Sequence, residues 1–353
     1  MLKRLTIGRS FSLSPILLLL VMAGGLLVST LLSLGIGDKP IGPALVIRSA
    51  LGLETTEQKI DATIVRQIRA PRVLTAILVG MMLALSGAVL QAVFRNPLAD
   101  PGLIGVSAGG AAGAVLFIVF SGALIPVGWD WLQQTGLILF PMITGVLVTV
   151  GVYQLSRFAG RTHVVTMLLT GLAVNALVGA LIGYAIFFSD DNQLRDFTFW
   201  SLGSLSRANW GQLQWLTPVI LTVSACLLLY RKQLNILLLG ESAALHLGVN
   251  VERSRRQLIF LTACGVSVAV ALCGMIGFIG LVIPHFCRLL IGPDHKYLLP
   301  ASALCGALVL VAADLLARVS VRYTELPVGV VTATIGAPFF LYLVARSKQG
   351  SGM

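Results

Sequence analysis

Hydrophobic positions in this chain fall into long charge-free runs, not into the short alternating patterns of half-buried strands or amphipathic helices. About 20 apolar residues span the hydrocarbon core of a bilayer. Runs that reach or approach this length cover residues 10–37, 73–94, 101–129, 131–156, 162–189, 208–230, 257–287, 297–313 and 326–345. The run from 257 stays apolar, Arg288 apart, as far as Pro293, and is broken by Gly274, Gly277, Gly280 and Pro284. It holds one full helix and one short one, so nine blocks predict ten spans. The fold class is therefore an all-α polytopic membrane protein, with residues 1–353 as a single transmembrane domain.

The first run follows Lys3, Arg4 and Arg9, which is also how a secretory signal begins. We read it as a retained helix, because its apolar stretch exceeds a signal core and no Ala-x-Ala site follows. Two polar segments interrupt the pattern. Residues 37–70, extended by the basic positions up to Arg72, predict an outer loop with a short amphipathic helix. Residues 231–256 form the largest inner loop, with a helix-forming stretch from Glu241 to Leu247 that ends on Gly248.

Composition agrees with a lipid solvent: 57% of the 353 residues are hydrophobic and 11% charged. Charge then sets the orientation. With ten spans and a cytoplasmic N-terminus, the inner segments hold 15 of the 25 basic residues and only Asp100, Glu241, Glu252 and Asp294 among the acids, so the whole net charge of +11 lies inside. Nine spans would strand Arg346 and Lys348 outside. Both termini are accordingly expected in the cytoplasm. Trp129, Trp131, Trp200, Trp210 and Trp215 fall in or beside the outer loops, at the headgroup level. A basic balance of this kind reflects topology, and no nucleic acid partner is expected.

A weak internal echo sets Ala84-Leu85-Ser86-Gly87 ten residues before Pro97 and Ala271-Leu272-Cys273-Gly274 ten before Pro284. The two helices run in opposite directions, as in an inverted repeat relating helices 2–5 to helices 7–10. Glycine clusters such as Gly102, Gly105, Gly109, Gly110 and Gly113 suit close helix packing in lipid.

Chemistry-bearing groups are sparse. The five cysteines lie inside apolar runs without C-x-x-C spacing, and His163, His246, His285 and His295 all fall at inner positions, so no metal site is expected. There is no G-x-x-x-x-G-K-[ST] loop, so ATP and Mg would be bound by a partner, with no cofactor in this chain. A membrane-embedded enzyme would need a metal pair or a nucleophile beside a base, and neither is present. An ion-coupled secondary transporter would need intramembrane charge, which is nearly absent; Asp314 is the exception, near an outer helix end.

Several segments together carry a resemblance. They are Arg69-Ala-Pro-Arg72, Ser86-Gly87, residues 95–105 (RNPLADPGLIG), Gly203-Ser204-Leu205, Gly240-Glu241 to Gly248, residues 277–285 (GFIGLVIPH), and Glu325-Leu326-Pro327-Val328-Gly329 running to Gly336-Ala337-Pro338-Phe339. On these the chain resembles the permeases that import iron siderophores, haem and vitamin B12, across almost its whole length. The resemblance implies a multi-pass protein of the bacterial inner membrane. It implies a second copy forming a homodimer around the pathway, two cytoplasmic ATPase subunits, a periplasmic substrate-binding protein, and membrane lipid as surroundings.

By the same resemblance, Arg69, Arg72 and Arg318 would be exposed guanidiniums facing acidic residues of the binding protein. The local alternative is pairing, as Arg318 could with Asp314 one turn away. Glu241, Ser242, Ala243, Ala244, Leu247 and Gly248 match the coupling helix that an ATPase grips, with the glutamate one place earlier than in the broader Glu-Ala-Ala-x-x-x-Gly pattern. A surface-lying amphipathic helix is the alternative. Asn96, Pro97 and Leu98, with Arg161, Thr162 and His163, resemble the cytoplasmic gate, although an Asn-Pro pair also simply ends a helix. Arg195 and Arg207 are candidate outer substrate contacts, or partners of Asp190, Asp191 and Asp196. The expected cargo is haem or a ferric siderophore, residues 194–210 resembling the haem branch, with vitamin B12 as the alternative.

Overall fold

The computed structural model describes residues 14–126, 128–158, 161–321 and 325–349. Its helices, in chain order, are α1 (Pro15–Gly35), α2 (Pro43–Leu51), α3 (Lys59–Thr63), α4 (Ala70–Val93), α5 (Val106–Leu124), α6 (Asp130–Leu155), α7 (Val164–Phe187), α8 (Asp191–Ser201), α9 (Trp210–Leu229), α10 (Arg231–Leu238), α11 (Glu241–His246), α12 (Val251–Cys273), α13 (Ile279–Ile291), α14 (His295–Val319) and α15 (Val328–Gln349). Between α6 and α7, the two-residue strands β1 (Arg157–Phe158) and β2 (Arg161–Thr162) pair antiparallel.

Among the described residues, seven helices are long and apolar enough to cross a membrane, and shorter apolar stretches in α5, α13 and α15 bring the candidate spans to ten. The run from 257 divides as the glycines predict, α12 stopping at Gly274, whose φ of +73° suits glycine. At 13 residues α13 is roughly 20 Å long. The non-helical segment 274–278 precedes it, buried at Gly274 and exposed at Gly277.

Two expectations need correction. The stretch 37–70 is largely helical: the run from Thr56 continues without a break through a π-helical stretch, Ile64–Arg69, into α4. Pro71 lies inside this continuous run and has no amide to donate, and the wider π-helical turn directly before it is where the regular ladder is interrupted. Trp200 is buried and stacks on Phe197 at 6.4 Å, so it is a packing residue and not a headgroup anchor.

In lipid, burying an apolar side chain brings no hydrophobic gain, so the bundle depends on close packing and small residues. The centre is α4, with 83% of its apolar window buried, against 17% for α1 and for α7. Added Cβ atoms at Gly80 or Gly87 would collide with the backbone of Gly306 in α14 or Gly280 in α13. The packing also reveals the repeat. Helix α4 lies against α13 and α14, while α12 lies against α5 and α6, so each half clasps the leading helix of the other. The Ala-Leu-x-Gly echo is not the matching register, because Gly87 is inside α4 and Gly274 ends α12.

Candidate functional site

Side-chain links define two ends of the bundle, named here outer and inner after the charge-derived orientation. At the outer end a buried ionic cluster ties α1, α4, α14 and the start of α15. The Arg72 Nε donates to Asp314 at 2.9 and 3.1 Å, and Nη1 to Glu325 at 2.8 Å. Arg318 Nε lies 3.2 Å from Asp314 Oδ2, an ion-pair contact, while Nη1 and Nη2 donate to the Ile36 and Ser33 carbonyls at 3.2 and 3.0 Å. Arg69 donates to the carbonyls of Leu34, Gly35 and Lys39 at 2.6–2.8 Å, satisfying the last turn of α1. Of the three arginines expected to be exposed, Arg69 and Arg72 are thus buried and Arg318 is partly buried, each bonded inside the chain. Asp314 draws Arg72 and Arg318 inward because an isolated buried carboxylate is prohibitively costly.

Beside this cluster a cavity of about 420 Å³ opens outward, lined in part by Arg195, Asp196, Phe199, Arg207, Gln212 and Glu325. Sequence placed Arg195 and Arg207 on the outer side, and the structure brings both to this one recess. Among the described residues they form no ion pair with Asp190, Asp191 or Asp196; Asp190 instead caps α8, accepting from the Gln193 amide at 2.9 Å. The recess is floored by backbone packed at glycine distance. Ser204 donates its amide to the Cys273 carbonyl at 2.8 Å, and Gly203 and Gly329 both abut the Met275 carbonyl.

At the inner end, α11 forms the expected short helix, with Gly240 (φ +118°) before it and Gly248 (φ +78°) after it. Ala244 is its buried anchor, whereas Ser242, Leu245, His246 and Leu247 are exposed, so a small knob with two bare leucines projects. One buried residue ties it to the bundle. Arg255 Nη2 donates to Glu241 at 2.7 Å, and Nη1 donates to the Thr162 carbonyl at 2.9 Å and lies 3.6 Å from Glu252. Glu252 in turn accepts from the Tyr153 hydroxyl at 2.9 Å and from the Thr162 amide at 3.2 Å. Between the knob and the start of α7 lies a cavity of about 920 Å³, lined in part by Thr162, His163, Glu241, Ser242 and Arg255.

The residues expected to form a coupling helix and the Arg161–His163 segment are therefore joined through Arg255, Arg161 and Thr162 forming β2 and His163 leading into α7. The Asn96-Pro97-Leu98 turn is anchored elsewhere. Asn96 Oδ1 accepts from the Leu98 amide at 2.9 Å, and Arg95 Nε donates to the Leu237 carbonyl of α10 at 2.8 Å. Just beyond it, burial raises the Asp100 carboxyl above the ordinary range, partly offset by the Gly102 amide. Asp294 is held low by the Lys296 amide and by Asn235. Sequence reasoning missed Arg255 and Glu252. The signal was available: Arg255 falls on the apolar stripe Val251, Leu258, Ile259 and Thr262, where a charge needs a buried partner.

A ten-span bundle with an exposed knob tied to its inner turns, and a recess at its other end, has the form of a membrane permease. The chain belongs to the FecCD transport family, whose pattern it matches over residues 25–346. It is 45% identical over 282 residues to the hemin transport system permease protein HmuU of Yersinia pestis, covering 80% of this chain and 83% of that one. It is 42% identical over 325 residues to the vitamin B12 import system permease protein BtuC of Klebsiella pneumoniae, covering 92% of each. A solved metal-chelate type ABC transporter in an inward-facing conformation superposes with a TM-score of 0.81 at 34% identity, covering 93% of this chain and 98% of the other. The chain is accordingly the permease subunit of an ABC importer, a transport subunit of a multi-pass membrane complex that includes ATPase and substrate-binding partners.

Proposed function

We propose that this permease imports bulky metal chelates, haem or a ferric siderophore, from periplasm to cytoplasm, as a homodimer with two cytoplasmic ATPase subunits below and a periplasmic binding protein above. The observation that carries the mechanism is the buried Arg255. A chain without a phosphate-binding loop has an exposed inner knob fastened through one guanidinium to the turn between two spans. Closure of the ATPases, which bind ATP and Mg, pushes α11; the Glu241–Arg255 pair passes the displacement to Thr162 and Glu252, and hence to the inner ends of α7 and α12.

The second copy would pack against α7, whose apolar side chains stay exposed from Val165 to Phe188. The binding protein would sit on the outer rim that Arg69, Arg72 and Arg318 brace, and deliver cargo to the recess holding Arg195 and Arg207. Two guanidiniums there suit a cargo bearing carboxylates, as haem does. A vitamin B12 cargo is the second reading, favoured by the 92% coverage of the Klebsiella permease.

The test is uptake into proteoliposomes holding this chain, its ATPase and its binding protein, with labelled haem, ferric chelate and vitamin B12 compared in parallel. ATP-dependent accumulation of haem or ferric chelate above vitamin B12 is expected. Preferential accumulation of vitamin B12 would establish the second cargo. Uptake that survives without the ATPase and collapses with a proton or sodium gradient would make the chain a secondary transporter and sink the proposal.

A further inference from the structure

A second inner cavity, of about 420 Å³, runs between α6 and α12. One wall is a single helical face of α6, advancing by turns through Thr149 and Tyr153 to Arg157 just past its end; the other is the face of α12 carrying Arg256, Phe260 and Ala263. Both arginines stand at the inner ends of these walls, so the basic groups share one mouth. From that mouth the lining runs back from Arg157 to Thr149 on one wall and from Arg256 to Ala263 on the other, roughly 10–12 Å at 1.5 Å per residue. Its inner part is apolar, with Val150, Ile259, Phe260 and Ala263 on the walls.

The lining carries two guanidiniums and no carboxylate. Glu252, one turn before Arg256, is already held by Tyr153, Thr162 and Arg255. The Arg157 guanidinium lies over the Tyr153 ring, 5.8 Å from its centroid, which keeps it at the lip of the groove. Around the groove Leu147, Leu155 and Phe260 are 62%, 70% and 51% exposed, so this face meets hydrocarbon. A paired cationic mouth above an apolar slot, at the basic end of a membrane bundle, complements a phosphate joined to an acyl chain.

We infer that the α6–α12 groove binds an anionic glycerophospholipid of the inner leaflet, its phosphate between Arg157 and Arg256 and an acyl chain along Val150 and Phe260. Tyr153 lines this groove and also donates to Glu252, so the bound lipid buttresses the Tyr153–Glu252–Thr162 link beside the coupling helix. The site rests on the geometry of this chain alone and is independent of the proposed cargo.

The test uses the complete importer, permease with its ATPase, in nanodiscs of phosphatidylcholine with or without phosphatidylglycerol, and native mass spectrometry to count retained lipid. Retention of phosphatidylglycerol in preference to phosphatidylcholine is expected, with that preference falling about thirty-fold in the Arg157→Gln/Arg256→Gln variant, the factor two interfacial arginines supply. Arg253→Gln, an exposed arginine of the same turn outside the groove, keeps the preference. Val150→Trp fills the slot while leaving both arginines, and lowers retention even if the double variant folds poorly. Equal retention of the two lipids, an unchanged preference in the double and Val150→Trp variants, or displacement of the lipid by glycerol 3-phosphate would overturn the assignment. So would a disulfide between two copies at Phe260→Cys, which would give the groove to a second chain.

Discussion

Asp314 is fully buried between two arginines, and its carboxylate is what makes those guanidiniums tolerable at the outer helix ends. Removing one partner of such a cluster leaves uncompensated charge, which costs about 3–5 kcal/mol. Asp314→Ala should therefore lower the thermal midpoint of the purified protein steeply, whereas Asp196→Ala, exposed at the cavity rim, should change it little. Arg255 gives a different signature. It donates in two directions, to Glu241 and to the Thr162 carbonyl, a geometry that one ammonium group cannot reproduce. Both Arg255→Ala and Arg255→Lys should leave ATP hydrolysis in the reconstituted complex but lower cargo uptake at least about tenfold, one decade being 1.4 kcal/mol of lost coupling. Equal losses of hydrolysis and uptake would show that the residue only holds the fold.

The two glycine roles separate at the level of whole helices. Gly248 ends α11 at φ +78° with open space around it, so Gly248→Ala meets only backbone strain, about 1–2 kcal/mol. Gly87 is ordinary helix, yet its missing side chain is where α4 crosses the Gly280 backbone. Gly87→Ala should cost about 3 kcal/mol, the upper end for overpacking, because a backbone cannot retreat as a side chain can. Thermal unfolding of the two variants reads the difference directly. Helices of this kind were legible from sequence because charge-free length is a one-dimensional property, and α11 was legible because Gly248 marks its end. The outer polar stretch was not: Arg66, Arg69 and Arg72 look like loop charges until Ser49 and Glu54, the last carbonyls of α1, and the carboxylates of Asp314 and Glu325 absorb them in turn. The repeat was readable only faintly, since its evidence is which helix touches which, while the short sequence echo pointed to the wrong register.

For the molecule as a whole, orientation is the property on which the transport proposal depends. Cysteine introduced at Ser242 should react with a membrane-impermeant maleimide only when the inner side is opened, and cysteine at Asn192, exposed in the polar helix α8 of the outer end, should react from outside. The reverse pattern would turn the bundle over and remove the knob from any cytoplasmic motor. The central position of α4 has a further consequence for biogenesis. A segment so little exposed to lipid in the finished protein leaves the ribosome long before α12 and α14, which will cover it. Until they arrive its small-residue notches lie bare in the bilayer, open to quality-control proteases and to wrong partners. Nascent chains that stall before α14 should therefore be short-lived, and a pulse-chase of such truncations would show whether assembly waits for the second half to close around the first.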